Sequence, residues 1–208
     1  FRMNFFDTVD DFYKSFYKIL GKDLKSFFDN NKKKIESTKT KLPLYSIEDI
    51  KFRLIRDIYL AKNKYDETMF LMMKEKKFNF KDYYSRLFFN NSDLKKIDSL
   101  GHFVGLHSHS HPTLIEKLSY DEQKKEYEEC LYSISKILNK SIKEINCMAH
   151  PCGSYNDDTL KILKELGIEL GFRQMMVIES EKKMKKVNNS LLEIAREDHA
   201  KIFKMMNL

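Results

Sequence analysis

Aliphatic and aromatic residues in the first part of the chain recur at three- and four-residue steps. The segments "DDFYKSFYKIL" and "IKFRLIRDIYL" show this spacing most clearly, and it is typical of amphipathic helices. No glycine lies between Gly21 and Gly101, and the only proline in that interval is Pro43. Because few residues here would interrupt a helix, residues 1–91 are predicted to be mainly helical.

From residue 92 onward, short apolar runs alternate with capped helical segments. Helices are predicted for "SDLKKIDSLG", "SYDEQKKEYEECLYSISKIL" and "NDDTLKILKELG", with N-caps at Ser92, at Ser119 and at Asn156 or Asp157. In the second helix Glu122 follows Ser119 at the spacing of a capping box. The runs "HFVGLH", "INCMA" and "IELGF" are predicted to be short buried strands. Strands that alternate with helices indicate βα units around a parallel sheet, so the predicted fold class is α/β, as a single domain over residues 1–208.

The composition is that of a globular protein, with 42% hydrophobic and 33% charged residues. The sequence has no apolar run of about 18 residues, so no membrane span is predicted, and "FRMNFFDTVDD" does not have the pattern of a signal peptide. Three cysteines without a disulfide spacing favour a reducing compartment, and the predicted location is cytoplasmic.

The net charge of +7 comes mainly from lysines that are scattered along the chain. A nucleic-acid-binding protein usually concentrates its charge and interleaves it with arginines or aromatic residues. The preferred interpretation is therefore a solvated, lysine-rich surface, and nucleic acid is the least favoured partner.

Histidines cluster where the first predicted strand ends. His107, His109 and His111 lie within five positions in "GLHSHSHPTL", and ligands in α/β folds bind beyond the carboxyl ends of parallel strands. Neutral imidazoles are common zinc ligands, so His107 and His111, four residues apart, are predicted to bind one divalent metal ion. The alternative is a polar loop whose histidines only form hydrogen bonds. In the metal site, His109 would point away from the metal or lie behind its ligands.

A second loop of interest, "AHPCGSYND", follows the next predicted strand. Pro151 fixes its own φ angle and Gly153 permits an unusual turn. The backbone N–H of Cys152 is therefore a candidate oxyanion donor. Two alternatives stay open: a plain turn from strand to helix, and a nucleophilic Cys152 with His150 as its base.

A third cluster of polar residues lies in "EIAREDHAK" near the end of the chain. Arg196 is a candidate for an ion-paired residue that orients a carboxylate, with His199 near the metal. A charged turn on the surface explains the same residues equally well.

Together these segments resemble the polysaccharide deacetylases, the NodB-homology carbohydrate esterases, over roughly residues 90–200. "GHFVGLHSHSHPTL" resembles their second motif, a glycine-rich strand followed by His-[Ser/Thr]-x-x-His-Pro, with His107 and His111 at the two metal-ligand positions. "AHPCGSYNDDTLKILKELGIELGF" resembles the third motif, although His150 replaces an Arg or Tyr and Cys152 replaces an aromatic residue. "LEIAREDHAKI" is similar to the closing strand of bacterial deacetylases linked to surface glycans.

The resemblance implies a distorted (β/α) barrel and a hydrolase that acts on carbon–nitrogen bonds other than peptide bonds. Its substrate would be an acetylated amino sugar or glycan, which would lose acetate and keep a free amine. The implied metal, zinc in our expectation, would be held by His107, His111 and an aspartate. The Cys152 N–H would stabilise the oxyanion, and His199 would protonate the leaving amine.

One motif of the family has no clear counterpart. Its first motif, Thr-Phe-Asp-Asp-Gly, supplies the base and the third metal ligand, and the only candidates here are Asp10 and Asp11 in "DTVDDF". We interpret these two residues as acids in the first turn of a helix, where the helix dipole favours them. The expectation is a barrel that is incomplete at its N-terminus, with the first motif upstream of Phe1 and the 208-residue chain itself inactive. The alternative function is a non-catalytic glycan-binding or assembly module on the same fold.

Overall fold

The computed structural model describes residues 1–41, 45–60, 62–174 and 190–196, together with the single residues 202 and 206. The chain divides into two compact units, Phe1–Leu87 and Phe88–Leu208. Their boundary lies close to residue 91, where the hydrophobic pattern changes. That residues 1–208 form a single domain stays a prediction. Within the described residues no helix has the length and apolar character needed to cross a membrane.

The first unit is built from helices, as the residue spacing predicted. They are α1 (Arg2–Phe5), α2 (Val9–Leu20), α3 (Lys25–Asn30), α4 (Lys32–Lys41), α5 (Ile47–Leu54), α6 (Lys62–Glu75) and α7 (Lys81–Leu87). A π-helical turn, Ile55–Tyr59, continues α5. Aromatic side chains on one face of α2 form much of this unit's core, where the Phe16 and Phe52 rings lie 4.8 Å apart.

Asp10 and Asp11 lie in the first turn of α2, which confirms their interpretation as acids at a helix N-terminus. Thr8 is the N-cap, and its hydroxyl oxygen accepts a hydrogen bond from the Asp11 N–H at 3.1 Å. The same hydroxyl donates to the Asp11 carboxylate at 2.6 Å and so lowers the pKa of that carboxyl. The backbone N–H and the carboxylate of Asp11 thus both bond to the residue that caps the helix.

The second unit combines helices with short parallel strands. Its elements are α8 (Asn91–Ser99), α9 (Tyr120–Leu138), β1 (Cys147–Ala149), α10 (Asp157–Glu165) and β2 (Leu170–Phe172). The predicted capping box of Ser119 and Glu122 and the predicted Asn156 cap are both present. The prediction of Ser92 as the cap of α8 is wrong. Asn90 is the cap instead, because its side-chain oxygen accepts from the N–H groups of Ser92 and Asp93 at 2.8 and 3.0 Å.

The prediction of a strand over the whole of "HFVGLH" is also wrong. Within this segment only Leu106 pairs with β1, through a single parallel bridge to Met148. The pairing stops there because Ser108 has φ 60°, a left-handed conformation that turns the chain away from the sheet.

The paired segments lie side by side in the order Leu106, β1, β2 and Ile194. β1 and β2 form a parallel sheet with Met148 opposite Gly171, and Ile194 makes a parallel bridge to Phe172. The result is an incomplete α/β fold, and no closed barrel is seen in the part of the chain that the structure describes. The core of this unit surrounds β1 with the fully buried side chains of Leu106, Ile115, Tyr127, Met148, Ile162 and Leu163.

Candidate functional site

The histidine loop, residues 107–111, begins directly after the Leu106 bridge. His107 Nδ1 lies 2.7 Å from the backbone oxygen of Ala149, the last residue of β1. Because a carbonyl only accepts hydrogen bonds, Nδ1 carries the proton and Nε2 is left with its lone pair. This tautomer suits a metal ligand, since ligating histidines usually donate their other ring N–H to such an oxygen.

His111 completes a pair of exposed imidazoles in this loop. The His107 and His111 ring centroids are 4.9 Å apart with planes at 64°. Two imidazoles that share one zinc ion, with Zn–N bonds of about 2 Å, have ring centroids on the order of 5 Å apart. The separation of the two rings therefore agrees with the one that a shared divalent cation requires. However, the described residues contain no group of three or more His, Cys, Asp or Glu side chains that could hold a metal ion.

The helix α9 holds the middle of the histidine loop through one carboxylate. Glu126 Oε2 accepts from the N–H groups of His109 and Ser110 at 3.0 and 2.7 Å, and Glu126 Oε1 accepts from the Ser110 hydroxyl at 2.6 Å. The sequence reasoning missed Glu126, because an acidic residue on a helix carries no signal that a loop 16 residues away will bind it. His109 itself points to another carboxylate, with Nε2 3.7 Å from Glu129 Oε2.

His150, in the second loop, is buried beneath the site. Its Nε2 donates to the Leu192 oxygen at 2.8 Å, and its ring stacks on Tyr155 at 4.3 Å. Burial lowers the pKa of His150 below its usual 6.5, so the ring is neutral at pH 7. Its Nδ1 is buried and has no hydrogen-bond partner among the residues that the structure describes. Neither ring nitrogen is therefore hydrogen-bonded to the Cys152 thiol, as a cysteine nucleophile with His150 as base would require.

Cys152 occupies an unusual backbone position in the turn Pro151–Gly153. Its φ is 53° and the φ of Gly153 is 69°. The left-handed region costs an L-residue roughly 1–2 kcal/mol, and such strain often accompanies functional sites. The Gly153 and Ser154 N–H groups bond to the oxygens of His150 and Pro151, at 3.1 and 2.9 Å. The role of the Cys152 N–H as an oxyanion donor stays a prediction.

Further hydrogen bonds join Glu116, which lies beyond the histidine loop, to the residues that follow the Cys152 turn. The Ser154 hydroxyl donates to Glu116 Oε2 at 2.9 Å and accepts from the Glu116 N–H at 3.2 Å. The Asn156 amide donates to the Glu116 oxygen at 3.1 Å. The histidine loop is thus flanked by two sets of contacts, one from His107 to Ala149 and one from Glu116 to the residues after the Cys152 turn.

The segment after residue 190 contributes a buried carboxylate that the sequence reasoning also missed. Glu193 accepts hydrogen bonds from the hydroxyls of Tyr155 and Ser190 at 3.0 and 2.9 Å. Burial, and then the bond to Glu193, raises the pKa of Tyr155. The exposed Arg196 donates through Nε to the backbone oxygen of Arg173 at 2.8 Å, whereas His199 lies outside the described residues.

With these loops described, comparison with known families becomes informative. The family model of polysaccharide deacetylases matches residues 57–171, more than half of the chain. The chain belongs to the polysaccharide deacetylase family. The match begins well before the expected residue 90 and includes the histidine loop and the Cys152 turn. It ends before the segment "LEIAREDHAKI", whose resemblance to a closing strand stays a prediction.

The match confirms the resemblance to this family that the motifs indicated. Among solved structures, the chain is similar to "Streptococcus pyogenes deacetylase PplD in complex with acetate", with 21% identity and a TM-score of 0.46. That similarity covers 69% of this chain and 59% of the streptococcal chain. No curated protein matches the chain.

Proposed function

We propose that the protein is a metal-dependent hydrolase that removes N-acetyl groups from a sugar or polysaccharide. The observation that carries this proposal is the exposed pair of His107 and His111, at the edge of a parallel sheet in a polysaccharide deacetylase. The tautomer of His107, set by the Ala149 oxygen, supports it further. In the reaction, the C–N bond of the amide breaks, a C–O bond to water forms, and one proton passes to the leaving amine.

A divalent cation, zinc in this proposal, would be held by His107 and His111 and would supply Lewis-acid polarisation of the acetyl carbonyl when bound. The Cys152 N–H would donate a hydrogen bond to the oxyanion that develops on that carbonyl. Its left-handed φ is consistent with an amide held in an uncommon direction. His199 would be the acid that protonates the amine, and Arg196 would orient a carboxylate.

The alternative is a non-catalytic glycan-binding or assembly module on the same fold. It is favoured by one observation, that the described residues hold no group of three metal-ligating side chains. A binding module needs the polar edge of the sheet but neither a cation nor a base. The two functions therefore differ in whether acetate is released from a glycan that the protein binds.

The test is acetate release from N-acetylated amino-sugar oligomers by the protein as its gene encodes it, with zinc added. We expect release by the wild type, loss in His107→Ala, and retention in His109→Ala, which removes a neighbouring imidazole that faces Glu129. Calorimetric binding of the same oligomers without acetate release would refute the hydrolase and support the glycan-binding module.

A further inference from the structure

The histidine loop has a backbone conformation that other contacts must maintain. Ser108 and His111 have φ angles of 60° and 55°, in the left-handed region that residues other than glycine rarely adopt. Such conformations persist where surrounding contacts determine them. Because His111 is one of these two residues, the direction of its imidazole depends on whatever holds the loop.

The ends of the loop are held by different groups from its middle. At the start, His107 Nδ1 donates to the Ala149 oxygen at 2.7 Å. At the end, the His111 N–H donates to the Ser108 hydroxyl oxygen at 3.1 Å, a bond inside the loop.

In the middle, Glu126 accepts all three hydrogen bonds that join His109 and Ser110 to α9. Its own position is well determined. The next residue, Tyr127, is fully buried, and so α9 fixes the Glu126 backbone against the core of the second unit. A site supported by a packed helix holds its geometry better than a site on a loop alone.

We propose that Glu126 is a positioning residue that holds His107 and His111 at their mutual distance. It does so by fixing residues 109–110, without contacting the cation itself. The part of this inference that concerns cation affinity rests on the proposed function, whereas the part that concerns loop geometry does not.

Three variants separate positioning from charge. Glu126→Ala removes the hydrogen bonds and the charge together. Glu126→Gln removes only the charge, because its amide oxygen can accept both N–H groups while its NH₂ donates to the Ser110 hydroxyl oxygen. Glu129→Ala is the matched control, since Glu129 lies on the same helix and near the same loop but pairs with the His109 ring and with Lys125, and accepts none of the three loop hydrogen bonds.

The first measurement needs no metal. Amide hydrogen exchange at His109 and Ser110, and the nuclear Overhauser effect between the His107 and His111 rings, report the loop geometry in the 208-residue chain. In Glu126→Ala we expect exchange about tenfold faster or more and a weakened ring contact. Wild-type protection in Glu126→Ala would overturn the proposal.

The second measurement is Co²⁺ affinity from visible absorption. Loss of a group that orients metal ligands typically costs 10–100-fold in affinity, and we expect a loss in that range for Glu126→Ala. Glu126→Gln and Glu129→Ala should each stay within about threefold of the wild type. An equal loss in Glu126→Ala and Glu126→Gln would overturn positioning in favour of a charge effect. If the wild type binds no Co²⁺, the cation of the proposed function fails, while the exchange measurement still decides the role of Glu126.

Discussion

Gly105 allows the Leu106 segment to approach β1 closely, and alanine at this position should separate them. A Cβ on Gly105 would lie 2.5 Å from the Cys147 oxygen, 2.7 Å from its Sγ and 2.9 Å from its carbonyl carbon. Two of these atoms belong to the backbone of β1, so a change of side-chain rotamer cannot relieve the overlap. The Leu106 segment itself must move.

That movement would break both hydrogen bonds that join Leu106 to β1. The Leu106 N–H donates to the Cys147 oxygen and the Ala149 N–H donates to the Leu106 oxygen, both at 2.9 Å. Each bond contributes about 0.5–1.5 kcal/mol and the overpacking costs about 1–3 kcal/mol, so Gly105→Ala should lower the free energy of unfolding by about 2–6 kcal/mol. The histidine loop, which starts at His107 directly after Leu106, should lose its place beside β1.

The assay is urea-dependent hydrogen exchange, followed by mass spectrometry of peptides from residues 102–172, which lie in the second unit. The matched control is Gly167→Ala. No atom lies within 4 Å of its added Cβ, but its φ of 77° makes alanine unfavourable by about 1–2 kcal/mol. If Gly105→Ala costs no more than Gly167→Ala, the steric argument is wrong.

Three further predictions concern the site. The His107→Ala, His111→Ala double variant should contain less zinc than the wild type by elemental analysis, and equal zinc in both would contradict the metal site. Cys152→Ser should keep most of the acetate release, because its backbone N–H is retained, whereas complete loss would revive the cysteine nucleophile. Burial lowers the pKa of His150 below 6.5, so below that pH the native protein binds fewer protons than the unfolded chain. The stability that neutral His150 contributes is therefore complete above pH 6.5 and declines as the pH falls below 6.5. Below pH 6.5 the urea midpoint of His150→Gln should therefore fall less steeply with decreasing pH than the midpoint of the wild type. The same pH dependence in both proteins would refute this.

The sequence by itself determined the features that depend on neighbouring residues. The spacing of apolar residues predicted α2 and α9, a cap residue predicted α10, and a capping box predicted the start of α9 at the residue where it begins. These elements are predictable because caps and helical faces involve residues three or four positions apart. The cap of α8 was misplaced because Asn90 and Ser92 are both good caps two residues apart, and only Asn90 reaches both N–H groups.

The sequence also identified His107 and His111 as a pair, from their spacing and from the family motif. Only the tertiary structure decided how the pair is held, because each supporting contact joins residues that are far apart in the chain. His107 bonds to the oxygen of a residue 42 positions away, and Ser110 bonds to a carboxylate 16 positions away. The bridge at Leu106 likewise depends on the absence of a Cβ at Gly105, where β1 comes close. Such contacts form only once β1 and α9 are packed together, since the partners of a loop are set by what the core places beside it.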